Sequence, residues 1–118
     1  MDPHRVERIA GALREEIAEM IEYELADPRL RGVTVTAVHV EPGLRRAHVS
    51  VSGGAEAIEA LEHASSYLRR ELSSRLRLYR VPELHFETEN PESPAARVEE
   101  LLERVRKNRE KKSRSPEK

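Results

Sequence analysis

Val6, Ile9, Ala10, Leu13, Ile17, Met20 and Ile21 recur at spacings of three and four, which draws one apolar stripe on a 3.6-residue period. The pattern predicts a first helix from about Pro3 to Ala26, with Asp2 as its N-cap and Pro3 in a first turn that tolerates proline. Asp27-Pro28 ends it, because a residue before proline is pushed out of the helical region. From Gly32 to Val40 the chain is dense in β-branched residues and alternates as a strand. Val33 and Val35 are odd-numbered while Val38 and Val40 are even-numbered, so either both faces are partly buried or a bulge near Ala37 resets the phase. Glu41 to Arg45 makes a turn, and Arg46 to Ser52 is a second strand with Ala47, Val49 and Val51 on its apolar side. So short a connection implies an antiparallel hairpin.

Gly53-Gly54 precedes a second long helix, from about Ala55 to Tyr79, whose stripe is Ile58, Leu61, Ser65, Leu68, Leu72 and Leu76. Ala64, Ser65 and Ser66 interrupt it with small residues, where a kink or close packing is expected. Val81-Pro82 stops this helix, and Glu83 to Thr88 alternates as a third strand. Asn90 to Pro94 is a turn, and Ala95 to about Arg106 a short helix. The economical architecture is α+β: a three-stranded sheet covered by helices.

Length and charge refine this picture. A chain of 118 residues suits one compact domain. There is no cysteine, which excludes disulfides, thiol catalysis and thiolate metal sites. With three Tyr, one Phe and no Trp, a surface that stacks several bases is hard to build. The start MDPHRVERIA lacks the apolar run of a secretory signal, and no stretch is apolar enough to span a membrane, so a cytoplasmic location is expected. Residues 106–118 carry seven Lys or Arg against two Glu, and every lysine lies there. The remainder carries 14 arginines against 20 acidic residues. The expected organisation is one domain over 1–105 and a basic, disordered tail over 106–118.

Candidate chemistry is sparse. His4, His39, His48, His63 and His85 are scattered without an i, i+4 pair, and His85 and Glu87 on one strand face offer two ligands at most. No metal, cofactor or small-molecule substrate is therefore expected. Glu15, Glu19 and Glu22 lie opposite the first stripe, the usual place for solvated charge. No serine sits in a nucleophile elbow, and there is neither a P-loop nor a GxGxxG, so no enzyme is expected. The strongest signal is the stretch 69–80, with five arginines against one glutamate: Arg69, Arg70, Arg75, Arg77 and Arg80. Part of that charge suits the end of a helix, and arginine stems can cover the core. Five planar guanidiniums also match phosphate oxygens. Arg45 and Arg46 at the hairpin, and Arg106, Lys107, Arg109, Lys111 and Lys112 in the tail, extend the candidate RNA contacts.

A collinear set of motifs resembles the ribosome-binding factor A family, bacterial assembly factors of the small ribosomal subunit. It comprises Arg5-Val6, Leu25-Ala26-Asp27-Pro28-Arg29-Leu30 leading into Val33 to Val38, Leu44 to Ser52, Leu68 to Leu72, and Leu76 to Phe86. The Asp-Pro-Arg-Leu and Arg-Val-Pro-Glu-Leu-x-Phe elements at this separation carry the specificity. The resemblance implies a KH-like domain of the type II order, helix–strand–strand–helix–strand. The GxxG loop of ordinary KH domains is absent, Gly53 and Gly54 being adjacent. The family carries an Ala-x-Gly kink in its long helix; here Ser66 takes the place of Gly, so a bend rather than a sharp kink is expected. The implied function is non-catalytic: a monomer that binds the immature 30S subunit and the 5′-end region of its 16S rRNA. It supports processing by nucleases supplied by others, with a role in cold adaptation. The rival reading is a protein-interaction module, in which Glu15, Glu19 and Glu22 dock a basic ribosomal protein or an assembly GTPase.

Overall fold

The structure is a computed structural model that describes residues 3–89, 101–102 and 104–106. Helix α1 spans Pro3–Tyr23. A 3₁₀ turn at Pro28–Leu30 leads to strand β1, Val35–Val40, and strand β2, Arg46–Val51. Helices α2, Ala55–His63, and α3, Ser65–Leu76, precede strand β3, Glu83–Thr88. The sheet order is β1-β2-β3, with β1 antiparallel and β3 parallel to the central β2. This is the α+β, helix–strand–strand–helix–strand order expected, its second helix divided in two. Residues 101–102 and 104–106 are helical, within the short helix expected there.

The apolar stripe of α1 is the core's first wall: Leu13, Ile17 and Met20 are fully buried, with Ile9 and Ile21 beside them. Facing them are Val38 and Val40 of β1, Ala47, Val49 and Val51 of β2, Phe86 of β3, and Leu61, Leu68 and Leu72 of the helices. The parity change in β1 is a bulge. Val35 pairs with Val51 and Ala37 with Ser50, leaving Thr36 as the extra residue. Its hydroxyl lies 3.1 Å from the Ser50 carbonyl oxygen, so the irregular stretch is anchored where the ladder slips. Beyond the bulge Val38 and Val40 face the core, and Ala37 and His39 face the other side.

Two helix ends depart from expectation. Helix α1 stops at Tyr23 rather than Ala26, because the Leu25 amide reaches back to the Met20 carbonyl and closes a wider turn. Half-buried Leu25 then packs on the core. Asp27 caps the 3₁₀ turn instead: its Oδ1 accepts from the Arg29 amide at 3.0 Å. The long second helix is also not merely bent. Ala64 leaves the helical region at φ −89°, ψ 1°, closes α2 with its amide on Ala60, and opens α3 with its carbonyl, which accepts from Leu68. The break needs no glycine, because this φ is negative and open to any residue. Helix α3 ends at Leu76, three residues before the expected Tyr79.

Candidate nucleic-acid interface

Parallel pairing of β2 with β3 sets Arg46 beside Glu83, so both strands begin at the same end of the sheet. The Glu83 amide donates to the Arg45 carbonyl at 2.8 Å, which fixes the hairpin against the chain leaving α3. An open groove results, lined by Glu41, Arg45, Arg46, Arg69, Arg80, Val81 and Glu83. Four guanidiniums thus come from three separate stretches: the hairpin, α3 and the entry to β3. Both carboxylates in the groove are engaged. Glu83 faces Arg46 at 3.6 Å, and Glu41 accepts from His48 Nε2 at 2.7 Å. The His48 bond, more than nearby Arg46, holds the Glu41 carboxyl below its ordinary range, so it stays ionised. Arg45, Arg69 and Arg80 are exposed, with no ion-pair partner among the described residues.

The hairpin geometry explains how Arg45 gets there. The Leu44 amide donates to the Glu41 carbonyl at 3.0 Å, closing a turn with Pro42 and Gly43 at its centre. Gly43 has φ 89°, which the third position of a type II turn requires. Leu44 follows at φ 59° and swings Arg45 into the groove.

The other candidates divide. Arg70 is exposed on α3, and Arg77 is exposed just beyond its end. Arg75 belongs to an ionic cluster: Nη1 reaches Glu24 Oε2 at 2.8 Å and Glu16 Oε1 at 3.4 Å, while Nη2 reaches Glu71 Oε1 at 3.2 Å and Glu24 Oε1. The Arg75 hydrogen bonds pull the Glu24 carboxyl down, and those of Glu24 push Arg75 up. This guanidinium joins α3 to the end of α1. Arg106 is exposed and helical, whereas Lys107, Arg109, Lys111 and Lys112 lie outside the described residues. Glu15, Glu19 and Glu22 are exposed on α1. No helix among the described residues is long and apolar enough to cross a membrane.

Sequence reasoning missed one grouping. The pattern put His85 and Glu87 on one strand face but left His48 apart, yet the β2–β3 register sets His48 directly beside His85. The expectation of two ligands at most is therefore corrected: the donor atoms of all three lie within 4.8 Å of one another. The readable signal was parity, since His48 shares the outward phase of β2, but the register that joins it to β3 was not readable.

The family model described as ribosome-binding factor A matches residues 5–102. A ribosome-binding factor A of Solibacter usitatus is 44% identical over 115 residues, covering 92% of this chain and 94% of the relative. The crystal structure of ribosome-binding factor A from Thermus thermophilus superposes with a TM-score of 0.66 at 31% identity, over 70% of this chain and 93% of that one. A homology model of the Thermus thermophilus ribosome-binding factor A, fitted into a cryo-EM map of its complex with the 30S subunit, gives a TM-score of 0.61 at 33% identity, over 74% of this chain and 97% of that one.

Proposed function

Because the chain belongs to the ribosome-binding factor A family, we propose that it binds the immature small ribosomal subunit as a non-catalytic, monomeric assembly factor. The contact is the 5′-end region of 16S rRNA, and the outcome is late maturation and processing of that RNA by other enzymes, above all in the cold. The observation that carries this reading is the groove, where Arg45, Arg46, Arg69 and Arg80 converge and both carboxylates are already engaged. The fit of a Thermus thermophilus relative into a map of a 30S complex supports the same partner.

The chemistry is recognition. Guanidinium forks grip phosphate oxygens by charge-assisted, paired hydrogen bonds and fix the protein's position without reading bases. A factor that holds one RNA arrangement more tightly than another shifts the population toward it, with no bond made or broken. Arg70, Arg77, Arg106 and the tail cations Lys107, Arg109, Lys111 and Lys112 extend the grip. Arg75 has its guanidinium occupied by three glutamates and is assigned to holding α3 on α1.

The test is sedimentation of the full chain with isolated 30S subunits, and with protein-free 16S rRNA, at several salt concentrations. The variant is the Arg69→Glu, Arg80→Glu pair. Both residues are exposed, so the fold is expected to survive, as circular dichroism would verify. Association with subunits and with naked RNA should fall together, and each arginine lost should flatten the salt dependence by a slope of about one. Undiminished binding by the folded variant rejects the groove. Binding to subunits without binding to naked RNA transfers the role to the exposed Glu15, Glu19 and Glu22, where a basic ribosomal protein or an assembly GTPase would dock.

A further inference from the structure

The sheet face turned away from the core carries a row of histidines. In the register of the two ladders His39 lies beside His48, and His48 beside His85. The His39 and His48 rings stack with centroids 5.9 Å apart, and His85 meets the edge of His48 at 5.4 Å. Glu87 follows two residues along β3, on the same face. His48 sits at the centre of this group and is nearly buried, its side chain 11% exposed.

Its two ring nitrogens are treated differently. Nε2 lies 2.7 Å from Glu41 Oε2, and in the neutral ring the proton belongs there, donated to the carboxylate. Nδ1 is then a lone pair. It faces Glu87 Oε1 at 3.6 Å, and among the described residues neither Nδ1 nor the buried Glu87 Oε2 has a hydrogen-bond partner. Two electron-rich groups turned toward each other at a nearly buried position are a costly arrangement. A cation between them removes the cost.

We propose that His48, His85 and Glu87 bind a divalent transition-metal ion of the zinc type, with Nδ1 of His48 as the central ligand and water completing the coordination. Two imidazoles and a carboxylate are the donor set that such an ion takes, and an oxygen-preferring Mg²⁺ or Ca²⁺ does not suit it. The three donors already lie within 4.8 Å of one another. Zinc bonds of roughly 2.0 Å place tetrahedral ligand atoms about 3.3 Å apart, a closure within reach of rotation about the side-chain bonds of the exposed His85 and of Glu87. Glu41 plays the outer partner that holds a ligating histidine in one tautomer and orientation. The ion would clip β2 to β3 across the parallel ladder.

The experiment titrates Zn²⁺ into the chelator-treated full chain by calorimetry, and Co²⁺ by visible absorption. The comparison variants are His85→Ala and Glu87→Gln, with melting in chelator as the check on folding. His85 is exposed and outside the core, so His85→Ala should melt like the parent without metal. The expected result is one saturable Zn²⁺ per chain, a raised Tm on saturation, a ligand-field band with Co²⁺, and affinity at least tenfold weaker in each variant. Undiminished affinity in both variants, which would put the ion on other histidines such as His4 or His63, overturns the assignment. So does the lack of saturable binding at millimolar Zn²⁺. RNA binding is a separate measurement, so failure here leaves the groove reading standing.

Discussion

Arg77 stands at φ 53°, in the left-handed region, one residue past α3. The Leu78 amide returns to the Ser73 carbonyl at 3.1 Å, and the Ser73 hydroxyl donates to the Leu78 carbonyl at 3.0 Å. This is the helix-ending motif in which glycine ordinarily occupies the left-handed position. An arginine there carries strain that packing does not reward, because its side chain is exposed. Arg77→Gly should therefore raise unfolding free energy by about 1 kcal/mol in urea melts, while weakening RNA association through the lost charge. A variant that is more stable and binds RNA undiminished would remove Arg77 from the interface. Arginine types at 69–80 were legible as a basic stretch, but their partners were not. Only Glu71, four residues before Arg75, could be paired with it by spacing; Glu16 reaches it from α1 and Glu24 from the turn just past that helix.

At the scale of elements, periodicity reads well where one face is buried and poorly where chains end. The α1 stripe, the hairpin and β3 follow from apolar spacing and parity, whereas in β1 parity left a bulge and a strand buried on both faces equally open until the register decided for the bulge. Helix ends do not, since the α1 terminus depends on the Leu25 amide finding the Met20 carbonyl, and the break at Ala64 on how α2 and α3 each pack. One junction is unusually tight. A Cβ added at Gly53 would lie 2.5 Å from Ala57 Cβ and 3.0 Å from Val33 Cγ2, whereas one at Gly54 meets nothing within 4 Å. Gly53→Ala should thus force α2 away from the lead into β1 and cost about 1–3 kcal/mol. Gly54→Ala, measured in the same denaturant titration, should stay within about 0.5 kcal/mol of the parent.

The whole molecule is held at one corner by Asp27 and Arg29. Arg29 donates to both Asp27 oxygens, Nη2 to Oδ2 at 2.7 Å, and its Nη1 reaches Glu59 of α2 at 3.0 Å. These Arg29 hydrogen bonds lower the Asp27 carboxyl from 3.8 to about 2. A carboxylate depressed in the folded state binds its proton more readily when unfolded. Its stabilisation is therefore fully present above about pH 4 and is lost as pH falls toward 2. Asp27→Asn should lower stability at neutral pH and flatten the decline between pH 4 and 2 in denaturant midpoints; an unaltered pH profile would assign acid sensitivity to other carboxylates. What a linear reading cannot supply at this scale is register. The groove and the histidine row both exist because β2 and β3 begin side by side, a fact that spans two helices of intervening chain. That same parallel joint imposes an order in time. The hairpin closes across a tight turn, on the scale of about 1–10 μs, but β3 can pair only once the longer stretch that holds α2 and α3 has brought it back beside β2, at a larger cost in loop-closure entropy. Arg45 and Arg46 belong to the early half and Arg80 to the late one, so the groove proposed to grip phosphate is among the last features to come into being as the chain folds.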